Sequence, residues 1–236
     1  MNFELLKTAL LLLGVSLSVQ AEIPTSENQK YIDQIISFHV KSGFTSIKDI
    51  EEITISAVED NSFEKEFSKK WIKTRIKQAQ VRVLSQSKNW IVPTDVTRLI
   101  KAFDELNQEG IIAFHNAGYT TSDGYDNIRE VLQVRKKKHI KVSTGYCFYH
   151  QQDLERAMDA DMAILYLSFG SVNNGDEKKS IKIGKQIVKV LQKYHFKINW
   201  NQTQDKKIEI LNFKWENLYD STIDLSEDAQ IERLTS

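Results

Sequence analysis

PTDVTRLIKAFDELNQEGIIAFHN, residues 93–116, decides the fold class, because the apolar period changes within it from helical to extended. Val96, Leu99, Ile100, Phe103 and Leu106 recur on one helical face, Pro93, Thr94 and Asp95 supply a start signal, and Gly110 supplies the stop. Residues 111–115 then read as a short, continuously apolar strand. Upstream of this switch everything is helical. Tyr31, Ile32, Ile35, Ile36 and Val40 keep helical spacing up to Gly43, Ser46 with Asp49 opens a second helix, and residues 63–84 read as a third. Downstream, strands alternate with helices. Residues 145–150 and 162–169 are β-branched and aromatic, with a helix between them on Asp153, Leu154, Ala157 and Met158. Residues 127–137 form a helix ending in a basic cluster, and Ile181, Ile183, Ile187 and Leu191 mark a long later helix. Residues 196–200 and 207–213 read as a hairpin or near-hairpin. The expected class is α+β: a helical N-terminal layer packed on a small mixed sheet, with strand–helix alternation and a C-terminal strand pair.

The expected organisation is a probable leader at residues 1–21, a linker at 22–30, one domain at 31–215 and an acidic peripheral tail at 216–236. Within the domain a helical part spans 31–109 and a sheet-containing part 110–215. Residues 9–19 are apolar or small, Lys7 precedes them and Ala21 offers a small residue before Glu22, which is the grammar of a secretory signal. The run is too short for a stable span, so none is expected after processing. The address that follows is periplasmic or secreted, with a packed cytoplasmic N-terminal helix as the alternative.

With 41% hydrophobic and 27% charged residues the chain has a globular composition, and 32 basic against 32 acidic side chains remove any global electrostatic argument for nucleic acid. The basic face of the third helix, Lys69, Lys70, Lys73, Lys77 and Arg82, reads as solvated surface. A single cysteine, Cys147, cannot form an internal disulfide and reads as an inert core thiol. Paired-cysteine zinc spacing, a P-loop, a nucleophile elbow and a His-Glu-x-x-His pair are all absent from the sequence. No metal site is expected, and the cofactor is unknown.

Residues 94–116, residues 117–128 (AGYTTSDGYDNI) and residues 144–157 (TGYCFYHQQDLERA), followed by LYLSFGS at 165–171, together resemble the bacterial domain of unknown function family 6891. The resemblance covers about residues 31–213 and implies a bacterial origin and a domain boundary, not an activity. It also implies that relatives often carry a cysteine-rich loop where this chain has Tyr119, Thr120 and Asp123, so a thiolate metal site is not expected here.

Two strand-to-helix junctions carry residues suited to chemistry. The first includes His115, Asn116, Tyr119, Thr120 and Asp123; the second includes Tyr149, His150 and Asp153. A histidine with a carboxylate a few residues on can orient water, act as a general base or bind metal, so His115, Asp123, His150 and Asp153 are the catalytic candidates. Asn116, Tyr119, Thr120, Asp123 and Tyr149 are the ligand-binding candidates. If the two strands run parallel, their loops leave the sheet at one edge and the two sets converge on one cleft. The competing reading makes Asp123 and Asp153 helix caps and His115 a satisfied core ring. The leading function is therefore a small-ligand or protein-binding, regulatory domain using polar strand-end loops. A hydrolase-like enzyme using His and Asp of that cleft, and an immunity- or inhibitor-type protein, are the alternatives.

Overall fold

The computed structural model describes residues 26–172 and 176–236. The expected leader and residues 22–25 of the expected linker lie outside the described residues, whereas residues 27–30 of that linker are already helical. The chain is α+β, with eight helices and a five-stranded mixed sheet among the described residues. Helix α1 (Glu27–Ser42) starts where Ser26 accepts the Gln29 N–H and ends at Gly43, whose φ of 69° is left-handed. Helix α2 (Ile47–Asp60) is capped by Ser46. Helix α3 (Lys69–Ser87) begins later than its apolar pattern predicts. Phe63 to Phe67 form a tight turn first, with Phe67 N–H donating to Phe63 O at 3.1 Å, and Ser68 then caps the helix. These three helices enclose a core of their own around Ile32, Ile36, Ile50, Ile72 and Ile76.

Helix α4 (Asp95–Gln108), capped by Thr94, belongs to the sheet rather than to that layer. Its Leu99, Phe103 and Leu106 pack in the main core with strand residues, so the structural division falls before α4, not at residue 109. The elements within residues 31–109 are helical as expected, but the helical period shows that a face is buried and not against what.

Strand β1 (Ile111–Phe114) leads to α5 (Thr121–Lys137), β2 (Gly145–Phe148), α6 (Gln151–Met158), β3 (Ile164–Ser171), α7 (Glu177–Lys193), β4 (Lys197–Asn199) and β5 (Ile208–Leu211). The order across the sheet is β1-β2-β3-β5-β4. β1 and β2 are parallel, with Phe114 opposite Phe148, and the remaining neighbours are antiparallel. Alternation sends Ile111, Ala113, Cys147, Tyr149, Leu165 and Leu167 into the main core with α4, α6 and α7. It sends Ile112, Phe114 and Phe148 to the opposite face, against Ile128 and Val131 of α5. Cys147 is fully buried, and burial pushes its thiol far up, out of reach of thiolate chemistry.

The last residues differ from the expected peripheral tail. Helix α8 (Glu227–Leu234) docks Leu234 and Ile231 on the second face of the sheet, and Gln230 is buried. The Gln230 side chain accepts the His115 N–H at 2.7 Å and donates to the His115 carbonyl at 2.9 Å, standing in for a neighbouring strand at the β1 edge. Arg135 and Lys138 donate to the Leu234 and Thr235 carbonyls at its end. No helix among the described residues is long and apolar enough to cross a membrane.

Candidate functional site

The parallel β1 and β2 do release their loops at one edge, and the ladder continues beyond the strands: Ala117 N–H donates to Tyr149 O and Gln151 N–H to Gly118 O. The side chains expected to share a cleft there are divided between the two faces of the sheet. His115 follows the parity of Ile111 and Ala113. Its ring lies 4.4 Å from the Phe103 ring, and its Nδ1 is 3.1 Å from the Tyr149 hydroxyl. Burial, with the field of Arg233 adding to it, pushes its pKa down to about 3, so it stays neutral. Tyr149 is equally buried, and desolvation raises its phenol. Both residues are core, not ligand contacts.

His150 points to the other side. It occupies the N-cap of α6, where its Nδ1 accepts the Asp153 N–H at 3.4 Å and Asp153 Oδ2 faces the His150 N–H at 3.5 Å, a capping box. An accepting Nδ1 leaves the proton on Nε2, which faces Thr121 Oγ1 at 2.9 Å and Asp153 Oδ2 at 3.0 Å. Lys207 Nζ also lies 3.0 Å from Nε2, but its strong bonds run to Asp153, at 2.8 and 3.0 Å. Arg156 adds a third contact to the same carboxylate at 3.3 Å. Burial lowers the His150 pKa; Asp153 opposes that shift, and Lys207 and Arg156 reinforce it. His150 and Asp153 are almost wholly inaccessible, with side-chain exposures of 2% and 1%.

Asp123 repeats the motif at α5. Its Oδ2 accepts Thr120 N–H at 2.7 Å, Thr120 Oγ1 at 3.0 Å and Tyr119 N–H at 3.1 Å, and the Thr120 backbone bond is the leading reason that its pKa is lowered. Gly118 is required beside it: φ is 65°, and a Cβ would stand 2.3 Å from Asp123 Cβ. Asn116 adopts φ 47° and buries an Oδ1 with no hydrogen-bond partner. Thr120 and Asp123 are therefore spent on capping.

Tyr119 alone among the expected ligand residues projects outward, at 53% exposure. It lines a groove of about 590 Å³ between α1 and α6, together with Tyr31, Gln34, Phe38, His39, Gln151, Glu155 and Asp159. His39 is held to Thr45 Oγ1 at 3.2 Å, and burial lowers its pKa. Sequence reasoning passed over Lys207 and the α1 wall of this groove. Neither has a local signature, since Lys207 lies 54 residues from Asp153 and the α1 wall comes from a helix distant in sequence from the Tyr119 loop. Among the described residues no group of three His, Cys, Asp or Glu side chains is placed to hold a metal ion.

The family model described as "Domain of unknown function (DUF6891)" matches residues 25–219. The chain belongs to this family. The match carries the three stretches 94–116, 117–128 and 144–157 that form α4, β1, the Tyr119 loop, β2 and α6. It stops short of α8. No curated protein and no solved structure is similar enough to count as a match.

Proposed function

We propose that this DUF6891 domain recognises a ligand in the groove between α1, α6 and the Tyr119 loop and performs no chemistry on it. One observation carries the reading: the titratable candidates are consumed in two capping boxes, the His150–Asp153 one buried, and a core ring, whereas the side chains beside them stay open to solvent in the groove. Rings from Tyr31, Phe38 and Tyr119, amides from Gln34 and Gln151, and carboxylates from Glu155 and Asp159 suit a small ligand or peptide with an apolar body and a donor or cationic group. The division of His115 and His150 between opposite faces counts against the hydrolase-like alternative.

The test is a thermal-shift screen of the purified chain with metabolites, organic cations and metals, followed by mass spectrometry of whatever co-purifies. Tyr119→Ala and Glu155→Ala should abolish a ligand-induced shift while leaving the unliganded midpoint within about 2 °C, as expected of surface changes. A shift that survives both changes overturns the reading. We further infer that the chain is exported from a bacterial cell and processed after Ala21, an inference supported by residues 1–21 and tested by the intact mass of the endogenous protein.

A further inference from the structure

Helix α7 carries Lys178, Lys182, Lys185 and Lys189 at spacings of four, three and four, which places them on one exposed stripe. Lys193 is neutralised by Glu105 at 2.7 Å and Lys179 by Asp176 at 3.0 Å, but Lys182, Lys185 and Lys189 have no ion-pair partner among the described residues. A solvated lysine face is ordinary by itself. This one borders a groove of about 320 Å³ whose floor is Val188, Ile198 and Trp200, with Lys185, Lys189 and Gln192 on its rim.

The floor is held rigid. Trp200 Nε1 donates to Thr203 O at 3.0 Å, its ring meets Phe169 edge-on at 5.2 Å, and it lies so close over Gly184 that a Cβ there would stand 2.4 Å from the indole. An indole fixed this firmly and still partly exposed is a preorganised apolar anchor point. Ile198 belongs to β4, which ends the sheet order, so no strand covers its outer edge among the described residues. An open edge, an apolar floor and a cationic rim run side by side.

We propose that the groove between α7 and β4 docks an extended acidic segment of a partner protein. The segment adds to the β4 edge, seats one apolar side chain on Trp200 and pairs its carboxylates with Lys185 and Lys189. Nucleic acid fits less well. The cations of the rim are all lysine, without the guanidinium fork that grips phosphate in two-point geometry, and the floor offers one aromatic ring where single-strand binders stack successive bases on several. This surface is separate from the α1–α6 groove and does not depend on it.

The experiment is fluorescence anisotropy of the full chain with a labelled peptide of alternating Glu and Asp around a central Phe. A copy with Gly in place of Phe and a labelled oligouridine run in parallel. Binding of the Phe peptide should weaken at least about tenfold from low salt to about 0.3 M salt. It should weaken about tenfold or more in K185E/K189E, and weaken again when Phe becomes Gly. K69E/K70E on α3 should leave it unchanged. Circular dichroism of each variant confirms that these exposed changes leave the fold intact. The proposal is overturned if the peptide does not bind, if both double variants weaken it equally, or if oligouridine binds and the peptide does not.

Discussion

His115 provides a measurable link between acid and stability. In the unfolded chain an imidazole titrates near 6.5, whereas in the native domain burial against Phe103 and Tyr149 holds it down to about 3. Between those values the unfolded state binds a proton that the native state refuses. The contribution is therefore fully present above pH 6.5 and is lost as pH falls from there toward 3. The loss approaches about 1.4 kcal/mol per pH unit once the unfolded imidazole is fully protonated, and comes to about 2 kcal/mol between pH 6.5 and 4.5. His115→Gln keeps a hydrogen-bonding side chain for the Tyr149 hydroxyl and removes the proton. It should lower stability at pH 7 by about 2 kcal/mol through lost ring packing. Its fall in urea-unfolding free energy from pH 6.5 to 4.5 should then be smaller than the parent's by about 2 kcal/mol. Contributions from His39, His150 and the capping carboxylates cancel in that difference. An unchanged pH slope in the variant, or a His115 resonance that titrates near pH 6.5, would refute the assignment of this ring to the core.

Lys207→Met strips the closest counter-charge from a buried Asp153 and should cost about 3 kcal/mol in chemical denaturation, while Asp153→Asn added to it should restore part of that loss. Gly118→Ala should lower stability by about 1–3 kcal/mol, because a side chain there needs both a left-handed φ and the space held by Asp123. Gln230→Ala leaves both backbone groups of His115 unpaired under cover and should cost about 2–4 kcal/mol, with faster amide exchange at His115 as the local readout.

Helix starts were legible where a hydroxyl cap stood directly before the apolar period, as at Ser46 and Thr94. They were misplaced where the first turn is polar. α5 begins at Thr121, not near Asn127, because the Thr120–Asp123 capping box precedes any apolar residue of the stripe. The parallel pairing of β1 and β2 followed from two short strands with similar polar sequels. The face on which each histidine lies did not. Both faces of these strands are covered, so apolar residues run on without alternation and give no parity, and a one-residue offset sends His115 and His150 to opposite sides. Tyr119 is the expected ligand residue that stays exposed, since an aromatic residue between Gly118 and a capping threonine has no role in the cap beyond its own backbone N–H. Helix α8 escaped notice because two turns are too few to set a period against an acidic background.

The Gln230 clasp also bears on what counts as the unit that folds. Similarity to the family ends at residue 219, yet the backbone groups of His115, directly after β1, are satisfied by a residue eleven positions later. An outer strand is an open template for pairing with other chains, and here the plug is a pair of side-chain amides, Asn107 on Ala113 and Gln230 on His115, the second from a helix that the shared pattern does not include. The boundary drawn by ancestry and the boundary drawn by backbone satisfaction therefore fall in different places. A polypeptide cut where the resemblance stops would keep the Asn107 clasp on Ala113 but present the His115 backbone groups unpaired to its neighbours.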